Sequence, residues 1–521
     1  MEKTIETQVL VIGGGATGTG IARDLSLRGV RVILIEKSDL NAGASGANHG
    51  LLHSGARYVH SDIEAAMECR SEGLLLKQIA PHCIEETGGL FVAVPGDDEA
   101  YIADFPGMCE RAGIPCRPLD VKDAGQMEPC LSPLLIAAFE VADAAIDPFK
   151  LSIENMNHSL AQGGKYSNHS QLKEFIRKDR KIIFARILDT KTNETSRIRA
   201  DIYISATGAW AGFVAAMAGV DIPMVYSKGS LLVTGQRMAT RVINRLRQAG
   251  DADILVPGGV VSIIGTTSLR VKSPDNIFPS VDEVDLIINQ GKQMVPDLGS
   301  RRYIRAYCGV RPLIGSGGTD DRDLSRGFCL LDHANDGVEN FITITGGKLT
   351  TFRLMAEKTS DLACERLGLP SVCRTRYLAL PQTEGSGWTE PGVSLGQGSS
   401  FHGREEMMCE CEMVPASAID AIVAGIRKNR AVPDLLSIAL RSRMGKGPCQ
   451  GSSCSLRVLS HLYNRGEITG PQGVDGLRRF LNERWKGERA LLWGTSLAQS
   501  SLKEMIHCGL FCLELGQGDL P

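Results

Sequence analysis

The chain has 521 residues, 57 Lys and Arg against 60 Asp and Glu, and a formal net charge of −3. Apolar residues make up 43 %, which is typical of a globular protein and excludes a disordered chain, a collagen-like repeat and a disulfide-dense mini-protein. The near-neutral balance gives no reason to expect nucleic acid as a partner. The acidic residues Glu2 and Glu6 at the N-terminus do not predict a secretory signal.

The first elements predict a dinucleotide site. Residues 8–12 are predicted as a strand, the motif G-x-G-x-x-G follows, and a helical pattern leads to a second strand over 30–35. The glycines let the backbone approach a pyrophosphate, the helix N-terminus offers N–H groups, and an acid after the second strand accepts hydrogen bonds from a ribose. The residues predicted to contact this cofactor are Gly13, Gly14, Gly15, Gly18 and Glu36. The motif alone does not separate FAD from NAD.

A run of small residues over 41–50 follows the second strand. Small side chains permit close backbone approach to a bulky ligand, and Ser45 and Asn48 could donate hydrogen bonds to phosphate or ribityl oxygens. His49 lies in the same run, which suggests contact with the cofactor. A flexible surface loop is the alternative interpretation.

Two later segments favour FAD. The uncharged stretch 202–220 is long enough to raise the question of a membrane span, but its glycines and alanines predict a buried strand, a turn and a short helix. Residues 341–351 predict another strand that runs through a Gly-Gly turn into a helix, whose N-terminus could face the flavin O2 edge. These turns add Gly208, Gly347 and Thr350 to the predicted cofactor contacts.

Four of the fifteen cysteines form two tight pairs. Cys409 and Cys411 form C-x-C, and Cys449 and Cys454 form C-x4-C, with two predicted helices between the pairs. A helical hairpin would bring both loops to one end and make the four thiolates converge on a metal group. C-x-C departs from the usual spacing of structural zinc sites, so iron–sulfur is favoured and zinc remains the alternative. The pattern resembles the bacterioferritin-associated-ferredoxin-like [2Fe–2S] domain.

With these motifs placed, the chain resembles the FAD-dependent glycerol-3-phosphate dehydrogenases, within the glycine-oxidase and D-amino-acid-oxidase-like superfamily. The segments that carry the resemblance are 13–18 with Glu36, His-Ser-Gly-Ala-Arg-Tyr at 53–58, Gly-Val-Arg-Pro-Leu at 309–313 and Gly-Gly-Lys-Leu-Thr-Thr-Phe-Arg at 346–353. The cysteine-bearing extension resembles only the anaerobic type of that family.

The resemblance implies an α/β (α+β) architecture. Its first part is a two-part, Rossmann-like FAD-binding domain with a substrate cap of the D-amino-acid-oxidase/glycine-oxidase type, and its second is a small helical C-terminal iron–sulfur domain. The expected divisions are 1–370 for the oxidoreductase, 371–400 for a linker, 401–460 for the [2Fe–2S]-binding domain and 461–521 for a tail that is a candidate subunit contact. The nucleotide-binding pieces are expected at about 1–75, 150–220 and 330–368.

The resemblance also implies oxidation of sn-glycerol 3-phosphate to dihydroxyacetone phosphate. It assigns the substrate phosphate to Arg57, Arg311, Arg326 and Lys348, and the chemistry agrees because Arg forks and Lys charges bind phosphate. His53 is the candidate base for the C2 hydroxyl proton, with His49 as its rival.

Electrons are expected to leave through the [2Fe–2S] centre to two partner subunits, one flavin-bearing and one an iron–sulfur membrane anchor, and from there to a quinone. The chain is then expected to be cytoplasmic and peripherally attached to the inner membrane. The alternatives are an FAD-dependent dehydrogenase of an amine, opine or 2-hydroxy acid, an electron-transfer scaffold, and a zinc-stabilised flavoenzyme.

Overall fold

The computed structural model describes residues 3–315, 327–369, 371–382, 406–428, 432–510 and 513. Within these ranges the α-helices are α1 Ala16–Leu27, α2 Ile63–Ile79, α3 Glu99–Arg111, α4 Val121–Met127, α5 Pro148–Ala161, α6 Ala211–Met217, α7 Val281–Met294, α8 Phe352–Arg366, α9 Ala416–Lys428, α10 Leu435–Ser442, α11 Cys454–Asn464, α12 Gly470–Glu488 and α13 Gly494–Glu504. The β-strands are β1 Lys3–Ile12, β2 Val32–Ile35, β3 Leu51–Leu52, β4 Ile84–Glu85, β5 Gly89–Ala93, β6 Arg117–Leu119, β7 Ala137–Val141, β8 Ala144–Ile146, β9 Lys165–Ser167, β10 Ser170–Lys178, β11 Lys181–Asp189, β12 Thr195–Ser205, β13 Met224–Thr234, β14 Val242–Arg245, β15 Ile254–Gly258, β16 Val261–Gly265, β17 Leu269–Val271, β18 Tyr303–Ile314, β19 Phe328–Asp332, β20 Phe341–Gly346, β21 Met407–Cys409 and β22 Val414–Pro415.

The first sheet is built around parallel strands from three stretches of the chain. Its order is β10-β11-β12-β1-β2-β9, with β20 paired to β12 and β19 to β20. β1, β2, β9, β12 and β20 pair in parallel, and helices α1, α5 and α8 pack with the apolar face that these strands present. A parallel sheet needs crossover connections and cover on its faces, which explains why its strands read as continuous apolar runs.

The strand, helix and strand predicted at the start of the chain are confirmed as β1, α1 and β2. Ile21, Ala22 and Leu25 of α1 are fully buried in the core of this sheet. The stretch 202–220 forms the end of β12, a turn and α6, as predicted. In the part of the chain that the structure describes, no helix is both long and apolar enough to cross a membrane.

The second sheet forms the cap over the first. It has nine strands in the order β17-β13-β16-β15-β14-β5-β7-β6, with β18 paired along β13 from Met224↔Ile314 to Thr234↔Tyr303. Helix α7 packs against this sheet around Val284 and Ile287, which are fully buried. The long β13–β18 pairing matters for the site because it carries Arg311 back toward the first sheet.

The two helices predicted between the cysteine pairs are confirmed as α9 and α10. Their apolar faces share one core with α11 and with Leu477 and Phe480 of α12, so residues on both sides of position 460 pack together. This helical region is held to the rest of the chain by ion pairs, among them Arg441 to Asp39 at 2.8 Å.

Candidate active site

A cavity of about 600 Å³ lies where the carboxyl ends of β1, β12 and β20 meet the cap. In open α/β sheets this edge is the usual ligand position, and the volume suits a cofactor-sized molecule. The cavity is lined by most of the predicted cofactor and substrate residues: Gly13, Gly14, Gly15, Glu36, Ser45, Asn48, His49, His53, Arg57, Gly208, Arg311, Gly347 and Lys348. The sequence motifs therefore converge on one site, although Gly13 and Lys348 are more than three hundred residues apart in the chain.

The glycine motif turns β1 into α1 at the cavity wall. Gly13 has φ +112°, and a Cβ there would lie 2.5 Å from the Ala206 carbonyl oxygen. Gly18 does not line the cavity, and a Cβ on it would lie 1.9 Å from the Gly13 carbonyl oxygen. Gly18 is thus needed for close packing of the helix on the turn. Gly15 is the N-cap of α1 and supplies no side-chain cap, which leaves this helix end suited to an anion.

Replacing Gly18 by alanine should remove FAD from the purified protein, because the added methyl group forces the glycine turn away from α1. The matched control is Gly125→Ala in α4, where a Cβ meets nothing within 4 Å. Flavin absorbance per protein in the two variants measures the effect. Normal flavin content in Gly18→Ala would show that the turn tolerates this displacement.

Glu36 and Ser45 both hold backbone N–H groups of the glycine turn. Glu36 accepts from Gly14 at 2.7 Å and from Ser38 at 3.0 Å, and Ser45 Oγ accepts from Ala16 at 2.9 Å. Burial raises the pKa of Glu36, although the hydrogen bonds from Gly14 and Ser38 partly oppose this rise. A carboxylate has about four acceptor sites, so Glu36 retains capacity for a ribose hydroxyl.

The small-residue run 41–50 forms an ordered turn rather than an open loop. Asn48 closes it by donating to the Ser45 carbonyl at 2.7 Å and accepting from the Gly50 N–H at 2.8 Å. His49 lines the cavity, and its buried Nε2 has no hydrogen-bond partner among the described residues. Burial lowers the pKa of His49 to about 4, so this nitrogen belongs to a neutral ring. A buried polar atom without a partner at the cavity fits a ligand that supplies one.

The turns after β12 and β20 complete the cofactor side of the cavity. Gly208 has φ +55° and its carbonyl accepts from Thr345 Oγ1 at 3.0 Å. Gly347 has φ +71°, and a Cβ there would lie 2.5 Å from the Met355 sulfur. Thr350 is fully buried and does not line the cavity; its Oγ1 accepts from the His53 N–H at 3.1 Å. The structure therefore places Thr350 behind His53.

His53 lines the cavity directly after β3. Its Nε2 is 3.4 Å from the Tyr58 hydroxyl, and Lys348 Nζ is 4.6 Å from the centre of the Tyr58 ring. Burial, followed by the positive charges of Lys348 and Arg57, holds the pKa of His53 well below its ordinary value. The imidazole is neutral and able to accept a proton.

Arg57 follows His53 on a short 3₁₀ turn. It donates to Asp253 Oδ2 at 2.9 Å, and the same carboxylate accepts from Arg247 at 2.8 Å and from the Gly250 N–H at 2.6 Å. Asp253 is almost fully buried. It fixes the guanidinium to which the family resemblance assigns phosphate binding.

Arg311 reaches the cavity from β18 and lies across β13. A Cβ on Gly229 would lie 2.6 Å from one guanidinium nitrogen, so the glycine leaves the room that the group occupies. Arg311 donates to the Thr267 carbonyl at 3.1 Å and to Thr266 Oγ1. The predicted phosphate ligand Arg326 lies outside the described residues.

The charges at the cavity favour an anion. The basic lining residues are Lys37, Arg57, Arg311 and Lys348, and among the described lining residues Glu36 is the one carboxylate. A small dianion such as a phosphomonoester suits this imbalance, because Arg and Lys provide charge-assisted hydrogen bonds.

The four predicted metal-binding cysteines lie together at one end of the helical region. Cys449 accepts hydrogen bonds from the thiols of Cys411 and Cys454, and these lower its pKa; the N–H groups of Gly451 and Ser452 add to the effect. A hydrogen bond from Cys454 likewise lowers the pKa of Cys409. Among the described residues no set of three or more His, Cys, Asp or Glu side chains is arranged to hold a metal ion. The donor set of four thiols with backbone N–H groups aimed at them fits a cluster ligated by cysteine.

The loop that carries Cys449 lies behind the turn 41–50, outside the cavity lining. Lys446 Nζ lies 3.9 Å from the centre of the Phe149 ring, and a Cβ on Gly46 in that turn would lie 3.2 Å from the same ring. On the other side of Lys446, the Gly447 backbone lies against Cys411. A short chain of neighbouring groups thus leads from Gly46, between the lining residues Ser45 and Ala47, to the cysteines.

One face of β18 also runs between the two sites. Its alternate residues are Arg305, Tyr307, Gly309 and Arg311. Arg305 lies 3.6 Å from Glu483 of α12, and the Tyr307 hydroxyl donates to the Asn48 carbonyl at 2.8 Å. Arg311 then lines the cavity. Helix α12 is in turn packed under the cysteine loop, where Phe480 contacts the backbone of Gly445 and Gly451.

Comparison with known proteins covers both the cavity-bearing region and the helical region of this chain. Residues 8–362 match the family described as FAD dependent oxidoreductase. The chain is 41 % identical to the A subunit of the anaerobic glycerol-3-phosphate dehydrogenase of Escherichia coli K12, and the match covers 99 % of each chain. This chain belongs to the family of anaerobic glycerol-3-phosphate dehydrogenase A subunits. The match includes the cysteine-bearing helical region, in agreement with the resemblance seen in the sequence.

Solved structures support the fold of this family member. The glycerol-3-phosphate dehydrogenase from Bacillus halodurans, a complex with FAD, has a TM-score of 0.66 at 19 % identity and covers 92 % of this chain and 95 % of its own. Glycine oxidase from Geobacillus kaustophilus has a TM-score of 0.57 at 19 % identity and covers 73 % and 99 %. The expected glycine-oxidase type of architecture is confirmed.

Several residues of the site were not predicted from the sequence. Asp253 and Thr267 hold the two arginines, and Tyr58 lies between His53 and Lys348. Tyr58 is the last residue of the segment 53–58 that carries the family resemblance, so the sequence did indicate that it lies near the site. Asp253 and Thr267 belong to no motif and meet the arginines through the pairing of distant strands.

Proposed function

We propose that this chain oxidises sn-glycerol 3-phosphate to dihydroxyacetone phosphate. The observation that carries the proposal is that Arg57, Arg311, Lys348 and a neutral His53 line one cavity, which is continuous with the glycine turns. When bound, FAD supplies the hydride acceptor. His53 takes the proton of the C2 hydroxyl as the hydride leaves C2, so the alcohol becomes a ketone and two electrons are released.

The proposed cofactor contacts follow the cavity wall. The N-terminus of α1 with Gly13, Gly14 and Gly15 would face the pyrophosphate, and Glu36 would meet the adenosine ribose. Ser45, Asn48 and His49 form the turn against the rest of the cofactor, together with Gly208 and Gly347. Gly18 and Thr350 act indirectly, the first on the glycine turn and the second on His53.

Arg311→Ala should lower kcat/KM for sn-glycerol 3-phosphate by roughly 100-fold, about 3 kcal/mol, because a charged phosphate contact is lost. Steady-state kinetics of the FAD-loaded protein measure the effect. The control is Arg366→Ala, an arginine that pairs with Asp332 at the surface and does not line the cavity. An unchanged kcat/KM in Arg311→Ala would remove this residue from the phosphate site.

Electron exit is proposed to use the four cysteines. Cys409, Cys411, Cys449 and Cys454 would hold a [2Fe–2S] centre, which supplies one-electron transfer. The position of the cysteine loop, with Lys446 against Phe149 behind the turn 41–50, supports an exit within this chain. Because the relatives are named as one subunit of their enzyme, we further propose a flavin-bearing partner and an iron–sulfur membrane anchor that deliver electrons to a quinone and attach the chain peripherally to the inner membrane.

The decisive experiment is an anaerobic titration of the purified chain with sn-glycerol 3-phosphate, followed by absorbance and EPR. Flavin bleaching followed by a reduced-cluster signal is the expected result. Equal bleaching by glycerol, an amine or a 2-hydroxy acid would favour a different dehydrogenase. Absence of bleaching would favour an electron-transfer scaffold. Zinc in place of iron and sulfide in the metal analysis would leave a zinc-stabilised flavoenzyme.

A further inference from the structure

A buried ion pair lies beneath Arg311, outside the cavity. Lys228 on β13 and Glu283 on α7 are joined by a 2.8 Å contact, and each is about 6 % exposed. Lys228 also donates to the Phe278 carbonyl at 2.8 Å. Neither member of the pair lines the cavity. A buried pair of this kind is weak evidence for stability, because desolvation offsets much of the attraction.

Glu283 reaches Arg311 through a single residue. Its Oε1 accepts from Thr267 Oγ1 at 2.8 Å, and the carbonyl of Thr267 accepts from Arg311 Nη1 at 3.1 Å. Thr267 Oγ1 also accepts from the Ser230 N–H at 3.0 Å. Thr267 is thereby fixed at both its side chain and its carbonyl, between the ion pair and the guanidinium.

The carboxylate of Glu283 is fully engaged. Burial alone would raise its pKa, but hydrogen bonds from Lys228, Ser280 and Thr267 hold the pKa below its usual value. Glu283 therefore stays charged, and its two oxygens connect the N-terminus of α7, strand β13 and the segment after β16.

We propose that Glu283 is a positioning residue for Arg311, acting through Thr267 to hold the guanidinium in the orientation that receives a phosphomonoester dianion. The inference rests on the proposed role of Arg311 in substrate binding. A long Arg side chain loses conformational entropy when it is fixed by a bound ligand. The Thr267 carbonyl and the space left by Gly229 already hold the Arg311 guanidinium in one orientation, so less entropy is lost when the substrate binds.

A purely structural role for Glu283 is the competing explanation, because it also closes the capping box of α7 with Ser280. Ser280→Ala is the matched control: it removes the Ser280 hydroxyl from the cap and leaves the contacts of Glu283 with Lys228 and Thr267. We expect Ser280→Ala to lower the unfolding temperature without changing KM.

The test is a double-mutant cycle on the FAD-loaded protein with Glu283→Gln, Arg311→Ala and the combined variant. Glu283→Gln should raise KM for sn-glycerol 3-phosphate roughly tenfold with little change in kcat, and should add almost nothing in the Arg311→Ala background. A second measurement uses inorganic phosphate, which should raise the unfolding temperature of the wild type more than that of Glu283→Gln. Should Glu283→Gln fail to fold, Thr267→Val replaces it, because it removes the hydrogen bond from Thr267 Oγ1 to Glu283 and keeps the Thr267 carbonyl.

The outcomes are distinguishable. A KM effect of Glu283→Gln that is equally large in the Arg311→Ala background would overturn the inference, since the residue would then act independently of Arg311. An unchanged KM in Glu283→Gln, with a large loss in Arg311→Ala, would overturn the inference and leave the proposed function intact. Absence of any effect in Arg311→Ala would refute the phosphate role of Arg311 and the inference together.

Discussion

Replacing His53 by glutamine should reduce kcat by roughly 10²–10⁴-fold, the usual contribution of a general base. The imidazole lines the cavity beside Tyr58 and Lys348, and its backbone is held by Thr350. Glutamine keeps a polar group of similar reach but cannot take the hydroxyl proton. The rate of flavin bleaching after anaerobic mixing with sn-glycerol 3-phosphate measures this step without contribution from later electron transfer.

His60→Gln is the control for this variant, because His60 is exposed and does not line the cavity. If His53→Gln bleaches flavin as fast as the wild type, His49 becomes the candidate base.

The pH dependence of the free energy of unfolding gives a further check on His53. Below about pH 6.5 the unfolded state binds a proton at His53 that the folded state does not, so stability falls as the pH falls. His53→Gln should therefore lose less unfolding temperature than the wild type between about pH 7 and pH 5.5.

Cys409→Ser should block electron transfer out of the chain while substrate still reduces the flavin. In the proposed centre the Cys409 thiolate is a metal ligand, and a serine hydroxyl does not replace it. Cys409 is buried in the core of the helical region and shares a hydrogen bond with Cys454. We expect loss of iron and sulfide from the purified variant, loss of the EPR signal of the reduced cluster, and abolished reduction of an external acceptor served by the cluster.

Cys130→Ser provides the matched control, since Cys130 is a half-buried free cysteine of the cap and lies far in sequence from the two cysteine pairs at 409–411 and 449–454. It should keep its metal content and its onward transfer. If substrate no longer reduces the flavin in Cys409→Ser, the two regions of the chain do not work as separable modules. If the variant retains iron and sulfide, Cys409 is not a ligand.

The glycine turn was predictable because every part of it depends on residues close in sequence. Strand, turn, helix and acid follow one another within the first 36 residues, and the structure confirms them. The boundaries were less accurate. β1 begins at Lys3 instead of residue 8, because pairing from Lys3↔Ser196 onward extends the strand through exposed side chains. α1 begins at Ala16, inside the motif, where Ser45 accepts from its first N–H.

The residues that orient Arg57 and Arg311 were not predictable from the sequence alone. Arg57 and Asp253 are 196 positions apart, and Arg311 and Thr267 are 44 apart. Arg311 and Thr267 meet because β13 pairs with β16, β17 and β18, and Arg57 meets Asp253 where the turn after β3 lies against the start of β15. A single sequence carries little information about which distant elements meet in this way. The arginines could be recognised from their segments, whereas the groups that orient them could not.

The alternating face of β18 constrains how this protein can vary. Arg305 at the helical region and Arg311 in the cavity are separated by six residues of extended strand, about 20 Å at ~3.3 Å per residue. An insertion of a single residue between them would turn the guanidinium to the opposite side of the sheet and lengthen the spacing by one step. The strand therefore fixes the distance between the cavity and the helical region, and we expect length changes in homologous chains to fall in the loops on either side of it.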